Sequence, residues 1–158
     1  MTDAADLRGL SVGYAAAVDT LDGHSFAALF TPDGELWVPD PSRGSSPTIC
    51  RAGPDALEAV PSGLRRYLAT YHRVGPVTFA VDGDSATGDV TGVAHHLGEL
   101  PGGPVGDAGA GGRGLDTVWY LRYADDYRRL DTGWRIARRV LHLRWIEERP
   151  VGRIGPGR

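Results

Sequence analysis

Three residue types are missing from this sequence: none of its 158 positions is lysine, asparagine or glutamine. All 17 basic residues are therefore arginine. Without lysine, the chain cannot form a Schiff base with a carbonyl substrate and cannot complete a phosphate-binding P-loop. Without side-chain amides, it cannot stabilise an oxyanion with asparagine or glutamine. Catalysis that depends on lysine or on a side-chain amide is thus excluded.

The sequence also contains a single cysteine, no long apolar run and no excess of positive charge. Cys50 is the single cysteine, which excludes an internal disulfide and a cysteine-based zinc site. No apolar run reaches the roughly 18 residues of a membrane span, and the first residues lack a signal-peptide pattern. The 20 acidic residues give a net charge of −3, which argues against a nucleic-acid-binding face. We therefore expect a cytoplasmic protein with neither a nucleic-acid nor a membrane partner.

The first half of the sequence predicts helices with one short strand among them. Apolar residues recur at steps of three and four, as on one face of an amphipathic helix, and Asp22 can cap a second, shorter helix. Pro61 is expected to break a later helical stretch. The predicted elements are a first helix over 6–21, a second helix around Phe26, a turn over 31–34, a strand over 35–38, a loop over 39–53 and a helical stretch over 54–68.

The second half predicts long antiparallel strands, and the whole an α+β domain with helices on one face of a sheet. Asp82-Gly83 is a strong hairpin signal between the first two of these strands, and Asp131-Thr132-Gly133 joins the last two. The predicted strands span 70–81, 85–97, 117–130 and 133–147. We assign residues 1–148 to a single domain and expect 149–158 to be a disordered tail.

A glycine-rich segment, Gly98 to Gly114, separates the two strand pairs and contains eight glycines. Backbone entropy predicts that it is mobile, and it is either a lid over a site or simple slack. Its end matches the pattern G-x-G-x-x-G, but a strand follows it and no strand-helix-strand unit surrounds it. We therefore do not interpret it as a dinucleotide-binding loop.

Several ionisable side chains lie at the ends of apolar elements. On a helical wheel Asp19 lies about 140° from the Tyr14 stripe, which is typical of a solvated carboxylate. His72 lies near the start of a strand, and beside a buried carboxylate it would become a general base. His96 alternates with Ala86, Val90 and Ala94, a pattern that predicts an inward face. The neighbouring His95 should then face outward, and we predict no metal site because the histidine spacing is not diagnostic.

Two further sets of residues have open interpretations. Tyr123 either donates a hydrogen bond to a substrate oxygen or only packs in the core. The arginines of the final strand, which include Arg138, Arg139 and Arg144, are typical of a solvated face, although one of them could enter a pocket.

The order of the motifs resembles the SnoaL-like family of the NTF2-like superfamily. The resemblance lies in Tyr14 to Asp22, Ala28 to Asp33, Thr70 to Pro76, Val81 to Ala86, Tyr123 to Asp125, and Gly133 to Ile136. It implies a cone-shaped α+β barrel in which three helices pack on a curved, mostly antiparallel sheet around an apolar pocket. It also implies a homodimer. Polyketide cyclases, scytalone dehydratase and steroid isomerases share this family, and in its dehydratases a tyrosine, an aspartate and a histidine act together.

The resemblance implies that Asp19, His72 and Tyr14 are catalytic, and we expect Tyr71, His96 and Tyr123 to contact substrate. Tyr71 replaces the histidine that the family usually has there. The resulting hypothesis is a cofactor-independent cyclase, dehydratase or isomerase acting on a small, largely apolar carbonyl or polyketide-like substrate. His72, assisted by Asp19, would remove a proton, and Tyr14 would stabilise the oxyanion. The alternatives are a non-catalytic ligand-binding or dimeric interaction module and the small subunit of a ring-hydroxylating oxygenase.

Overall fold

A computed structural model describes residues 2–99 and 114–152 of the chain. These residues form three α-helices, α1 (Asp3–Asp19), α2 (Gly23–Ala27) and α3 (Pro54–Glu58), and a 3-10 helix over Pro61–Arg66. They also form six strands: β1 (Phe30–Pro39), β2 (Pro47–Ala52), β3 (Ala69–Asp82), β4 (Ser85–Glu99), β5 (Gly114–Leu130) and β6 (Gly133–Val151). The predicted α+β class is confirmed.

The strands form one six-stranded sheet in the order β2-β1-β6-β5-β4-β3. All neighbouring pairs are antiparallel except β1 and β6, which run parallel. Helix α1 packs across the sheet with Leu7, Leu10, Tyr14 and Val18 in the core. No helix in the described part of the chain is long and apolar enough to cross a membrane.

The signals for the cap of α2, the break at Pro61 and the two hairpin turns are confirmed. The carboxylate of Asp22 accepts a hydrogen bond of 2.9 Å from the backbone N–H of Ser25 and caps α2. Pro61 separates α3 from the 3-10 helix. The turn between β3 and β4 contains Gly83 with a φ of 57°, and Gly133 with a φ of 102° begins β6. Both are left-handed conformations that favour glycine.

The largest differences from the sequence prediction concern the strands β2, β1 and β6. Residues 47–52 were predicted to be loop but form β2, which pairs with β1 at the edge of the sheet. Strand β1 begins at Phe30 and includes the predicted turn at 31–34, where the register with β6 shifts. Strand β6 continues to Val151, so the first residues of the predicted tail are strand.

Most of the glycine-rich segment lies outside the described residues. Its two ends, Gly98-Glu99 and Gly114, belong to β4 and β5, and Glu99 pairs with Gly114. The predicted mobility and lid role of residues 100–113 therefore stay predictions, and so does the disorder expected beyond residue 152.

Candidate active site

The end of α1 meets the start of β3 through the carboxylate of Asp19. Its Oδ1 atom accepts hydrogen bonds from the Oγ1 of Thr70 at 2.9 Å and from the Nδ1 of His72 at 2.7 Å. Its Oδ2 atom accepts the backbone N–H of His72 at 2.8 Å. Three hydrogen bonds thus fix the carboxylate against the strand and fix the imidazole against the carboxylate.

The expectation of a solvated Asp19 is wrong, because the buried face of α1 is wider than the stripe defined by Tyr14. Ser11 and Ala15 are also buried, and Asp19 continues their row at steps of four residues. This row faces β3, and only 22% of the Asp19 side chain is exposed. Packing of α1 on the sheet therefore carries the carboxylate to His72.

The pair has a defined protonation pattern. Burial raises the pKa of Asp19, but the hydrogen bonds from His72 and Thr70 outweigh burial and leave the pKa below its ordinary value. The ionised carboxylate can only accept, so Nδ1 of His72 carries the proton. In the neutral form of this ring Nε2 is therefore the unprotonated nitrogen, and no described residue donates a hydrogen bond to it. An imidazole in this state can accept a proton from a substrate.

A cavity of about 450 Å³ lies between the helices and the sheet and includes His72 in its lining. Tyr14, Tyr123 and His96 line the same cavity, so four of the six predicted site residues meet there. Apolar and aromatic side chains form most of the remaining wall: Val18, Leu36, Val38, Ile49, Val60, Leu64, Tyr67, Trp119, Leu121 and Leu141. Its size and apolar lining suit a small organic ligand.

Tyr71 does not reach this cavity, which corrects its prediction as a substrate-binding residue. Neighbouring residues of a strand face opposite sides, and His72 occupies the inner one. Tyr71 is 59% exposed on the outer face, where its ring lies 6.2 Å from that of His95. His95 also lies on that face, as predicted, with its Nδ1 2.8 Å from the carboxylate of Asp116.

His96 faces inward, as the alternation of β4 predicts, and is buried. Its Nδ1 lies 3.2 Å from the carbonyl oxygen of Thr117, to which it donates a hydrogen bond. Burial, followed by the nearby His72, lowers the pKa of His96 to about 4. His96 is therefore a neutral imidazole at pH 7, and its ring is 5.7 Å from the ring of His72.

A buried cation that the sequence prediction did not single out lies against two tyrosines of the cavity wall, Tyr14 and Tyr123. Arg139 is fully buried, and its guanidinium donates to both carboxylate oxygens of Asp125 at 2.9 and 2.6 Å. The guanidinium carbon also lies 4.4 Å from the ring centroids of Tyr14 and of Tyr123. Such contacts are favourable cation–π interactions, so Arg139 holds the two tyrosines in place.

A shift in the hydrophobic pattern of β6 could have revealed Arg139. The inward residues are even-numbered at Trp134 and Ile136 but odd-numbered at Leu141 and Leu143. Such a change of phase requires a bulge, and the β5–β6 register shifts between Asp126 and Tyr127. Beyond that bulge, Arg139 shares the inner face with Leu141.

The two tyrosines of the cavity remain protonated. Burial raises the pKa of Tyr14, while Arg139 and a hydrogen bond with Tyr123 oppose the increase. Burial raises the pKa of Tyr123 well above its ordinary value. Their rings lie 5.5 Å apart in an edge-to-face arrangement. Tyr14 can thus donate a proton or a hydrogen bond inside the cavity.

The residues of this cavity are not arranged as a metal centre. In the ranges 2–99 and 114–152, no three histidine, cysteine or acidic side chains come together as a set of metal ligands.

The sequence matches the model of the SnoaL-like domain over residues 1–140, which is most of its length. The chain belongs to the SnoaL-like family. No curated protein matches the sequence significantly.

Solved structures place this SnoaL-like chain in the NTF2-like fold. An NTF2-like protein with a cystatin-like fold from Novosphingobium aromaticivorans is 25% identical with a TM-score of 0.63, over 89% of this chain and 81% of that one. A candidate scytalone dehydratase from the same organism is 20% identical with a TM-score of 0.70, over 96% and 90%. The hexachlorocyclohexane dehydrochlorinase LinA-type3 from Novosphingobium barchaimii is 18% identical with a TM-score of 0.69, over 96% and 91%.

Proposed function

We propose that this SnoaL-like protein is a cofactor-independent acid–base enzyme. Its substrate would be a small, largely apolar carbonyl compound, and the reaction a dehydration, an isomerisation or a cyclisation. The observation that carries the proposal is the 2.7 Å contact between Asp19 and His72 at the wall of an apolar cavity. This contact orients an imidazole that lines the cavity, and in the neutral ring it leaves Nε2 as the proton acceptor.

Each residue of the site has a distinct part in the proposed reaction. Nε2 of His72 takes a proton from the carbon next to the carbonyl, and the electron pair of the broken C–H bond moves into the enolate. Asp19 stays ionised and stabilises the imidazolium that forms. Tyr14 donates a hydrogen bond to the enolate oxygen, or a proton to a leaving hydroxyl group. The chain has no lysine, so this route does not pass through an imine.

Two of the similar solved structures have names that agree with the proposed reaction. The candidate scytalone dehydratase and the dehydrochlorinase have names that describe eliminations, and an elimination can begin with removal of a proton from carbon. A non-catalytic binding module would share the fold and the cavity but would have no use for an oriented base.

The test measures exchange of the acidic α-protons of 2-tetralone for deuterium by NMR. The wild-type protein should accelerate this exchange. His72→Ala should reduce the acceleration by about 10²–10⁴-fold, because the proton acceptor is removed. Circular dichroism and the unfolding transition should remain those of a folded protein.

His95→Ala is the matched control. His95 also pairs with an aspartate, at 2.8 Å, but on the opposite face of the sheet. The control should therefore retain the full acceleration. Equal exchange in the wild type and in His72→Ala would overturn the proposed base. Saturable binding of 2-tetralone without any accelerated exchange would identify a binding module instead.

A further inference from the structure

The rim of the cavity contains two arginines from separate elements. Arg51 extends from β2 and Arg66 from the end of the 3-10 helix, and both line the cavity. Neither forms an ion pair with any carboxylate among the described residues. Arg51 donates one hydrogen bond of 3.2 Å, from Nη1 to the carbonyl oxygen of Cys50. A guanidinium has five N–H donors, so both groups keep donors for an anion that enters the cavity.

One of these arginines is held in a fixed orientation. The Nη2 of Arg66 donates a hydrogen bond of 3.2 Å to the hydroxyl of Tyr67, and its guanidinium carbon lies 4.9 Å from the centroid of that ring. An arginine fixed before the ligand arrives loses less conformational entropy when it binds. Arg66 also contributes to the lowered pKa of His96, after burial and His72, so its charge is felt inside the cavity.

The acidic group of the rim is engaged elsewhere. The Oδ1 of Asp40 accepts hydrogen bonds from the backbone N–H and the hydroxyl of Ser42, at 3.0 and 2.6 Å. Its Oδ2 lies 3.7 Å from the guanidinium of Arg43. The cavity lining thus contains two arginines and a single carboxylate, and that carboxylate already has hydrogen-bond partners. This excess of positive charge favours a negatively charged ligand group at the rim.

A wall of aromatic rings connects this rim to the proposed base. Tyr67 lies 4.9 Å from His96, and His96 lies 5.1 Å from Trp119 and 5.7 Å from His72. A flat aromatic ring can stack along this wall, because aromatic side chains favour offset or tilted contacts at such distances. One end of such a ligand would lie at Arg66 and the other at His72.

We infer that the substrate is an aromatic compound with an anionic group, a carboxylate or a phosphate, which binds Arg66 and Arg51 while its reactive carbon faces His72. This inference rests on the proposed function for the role of His72. The arginines would fix the position of the substrate through charge-assisted hydrogen bonds, which match planar carboxylates and phosphates well.

Isothermal titration calorimetry with three probes tests the inference: 2-naphthoate, 2-naphthyl phosphate and the neutral 2-naphthamide. The wild type should bind at least one of the anions about tenfold more tightly than the amide. The anion that binds more tightly shows whether the anionic group of the substrate is a carboxylate or a phosphate. High salt should weaken the binding of the anion and leave the binding of the amide nearly unchanged.

Arg66→Gln and Arg51→Gln should each remove most of the preference for the anion. The matched control is Arg65→Gln, because Arg65 is the exposed neighbour of Arg66 but does not line the cavity. This control should keep the wild-type preference. Equal affinity for anion and amide, no binding of any probe, or the same loss in Arg65→Gln would overturn the inference.

His72→Ala separates this inference from the proposed reaction. It should keep the wild-type preference for the anion over the amide, because both arginines of the rim are unchanged. If deuterium exchange proves independent of His72 while the preference for anions persists, the proposed reaction fails and the binding site stands. If exchange depends on His72 but no anion is preferred, the proposed reaction stands and the proposed anion-binding site fails.

Discussion

His96 links the protonation of the cavity to the stability of the fold. Its pKa is lowered to about 4 in the folded protein, whereas an exposed histidine titrates near 6.5. Between these values the unfolded chain binds a proton that the folded chain does not. The free energy of unfolding should therefore fall as the pH is lowered from 6.5 towards 4, by about 2 to 3 kcal/mol from this residue. Below the folded pKa, this contribution should fall no further.

Urea unfolding at pH 7 and pH 4.5 measures this effect. His96→Phe keeps a ring against Tyr67 and Trp119 but cannot be protonated. Between pH 7 and pH 4.5, the free energy of unfolding of this variant should therefore fall by about 2 to 3 kcal/mol less than that of the wild type, because the contribution of His96 is absent. The exposed His24 offers the control, because His24→Gln should follow the wild type at both pH values. A decrease in His96→Phe as large as that of the wild type would contradict the assignment.

Single residues of the site differ in how far the sequence determines them. Alternation along β4 predicts that His96 faces inward, because a strand has a period of two. The same rule excludes Tyr71 once His72 faces the cavity. The pairing of Asp19 with His72 joins residues 53 positions apart, which no local pattern specifies. Only the resemblance to the family indicates that pair in advance.

At the scale of elements, the contact between α2 and α3 depends on a glycine. A Cβ atom at Gly23 would overlap the backbone carbonyl oxygen of Glu58 in α3. Backbone cannot rotate away as a side chain can, so Gly23→Ala should destabilise the protein by about 1–3 kcal/mol.

Gly9→Ala is the matched control for this substitution. Gly9 lies in the exposed interior of α1, and nothing lies within 4 Å of a Cβ placed there. Alanine is the better helix former by about 1 kcal/mol, so Gly9→Ala should stabilise the protein. Chemical denaturation of both variants checks the pair. An unchanged free energy of unfolding in Gly23→Ala would mean that α2 and α3 can move apart at little cost in stability.

Elements that are bounded by strong turn signals could be predicted, whereas β2 could not. Asp82-Gly83 and Gly133 mark the hairpins of β3–β4 and β5–β6, because the chain must adopt a positive φ there. Strand β2 is short, surrounded by proline, serine and glycine, and paired only with β1. Its local composition indicates a loop, and the unpaired hydrogen-bonding edge of β1 makes it a strand.

For the whole molecule, the outer face of the sheet carries aromatic side chains in contact with solvent. Tyr71 and Trp145 are 59% and 58% exposed, and Trp145 stacks on Tyr120 with ring centroids 4.5 Å apart. Exposed aromatic surface favours association between protein molecules. We therefore expect a homodimer through this face and expect Trp145→Glu to convert it into a monomer.

Light scattering coupled to size-exclusion chromatography measures the mass of each variant. Val12→Glu introduces the same charge at an apolar residue of α1 that is 49% exposed, away from the sheet face. This control should remain dimeric. A monomeric wild type, or a dimer that survives Trp145→Glu, would contradict the expectation.

Local sequence patterns determine only part of the strand order of the sheet. Hairpin signals specify that β3 pairs with β4 and β5 with β6. The parallel pairing of β1 with β6 joins the two halves of the chain, and it depends on how α1 and the core assemble. Periodicity thus predicts the α+β class, and long-range packing determines the strand order.

The buried pair of Arg139 and Asp125 constrains how this protein can be re-engineered. Removing either partner alone leaves a full charge without water or a counterion, at a cost of about 3–5 kcal/mol. That cost is a large part of the stability of an ordinary domain. A library that varies one position at a time would therefore discard nearly every change at these two sites. Viable replacements for the pair become accessible when both codons are randomised together.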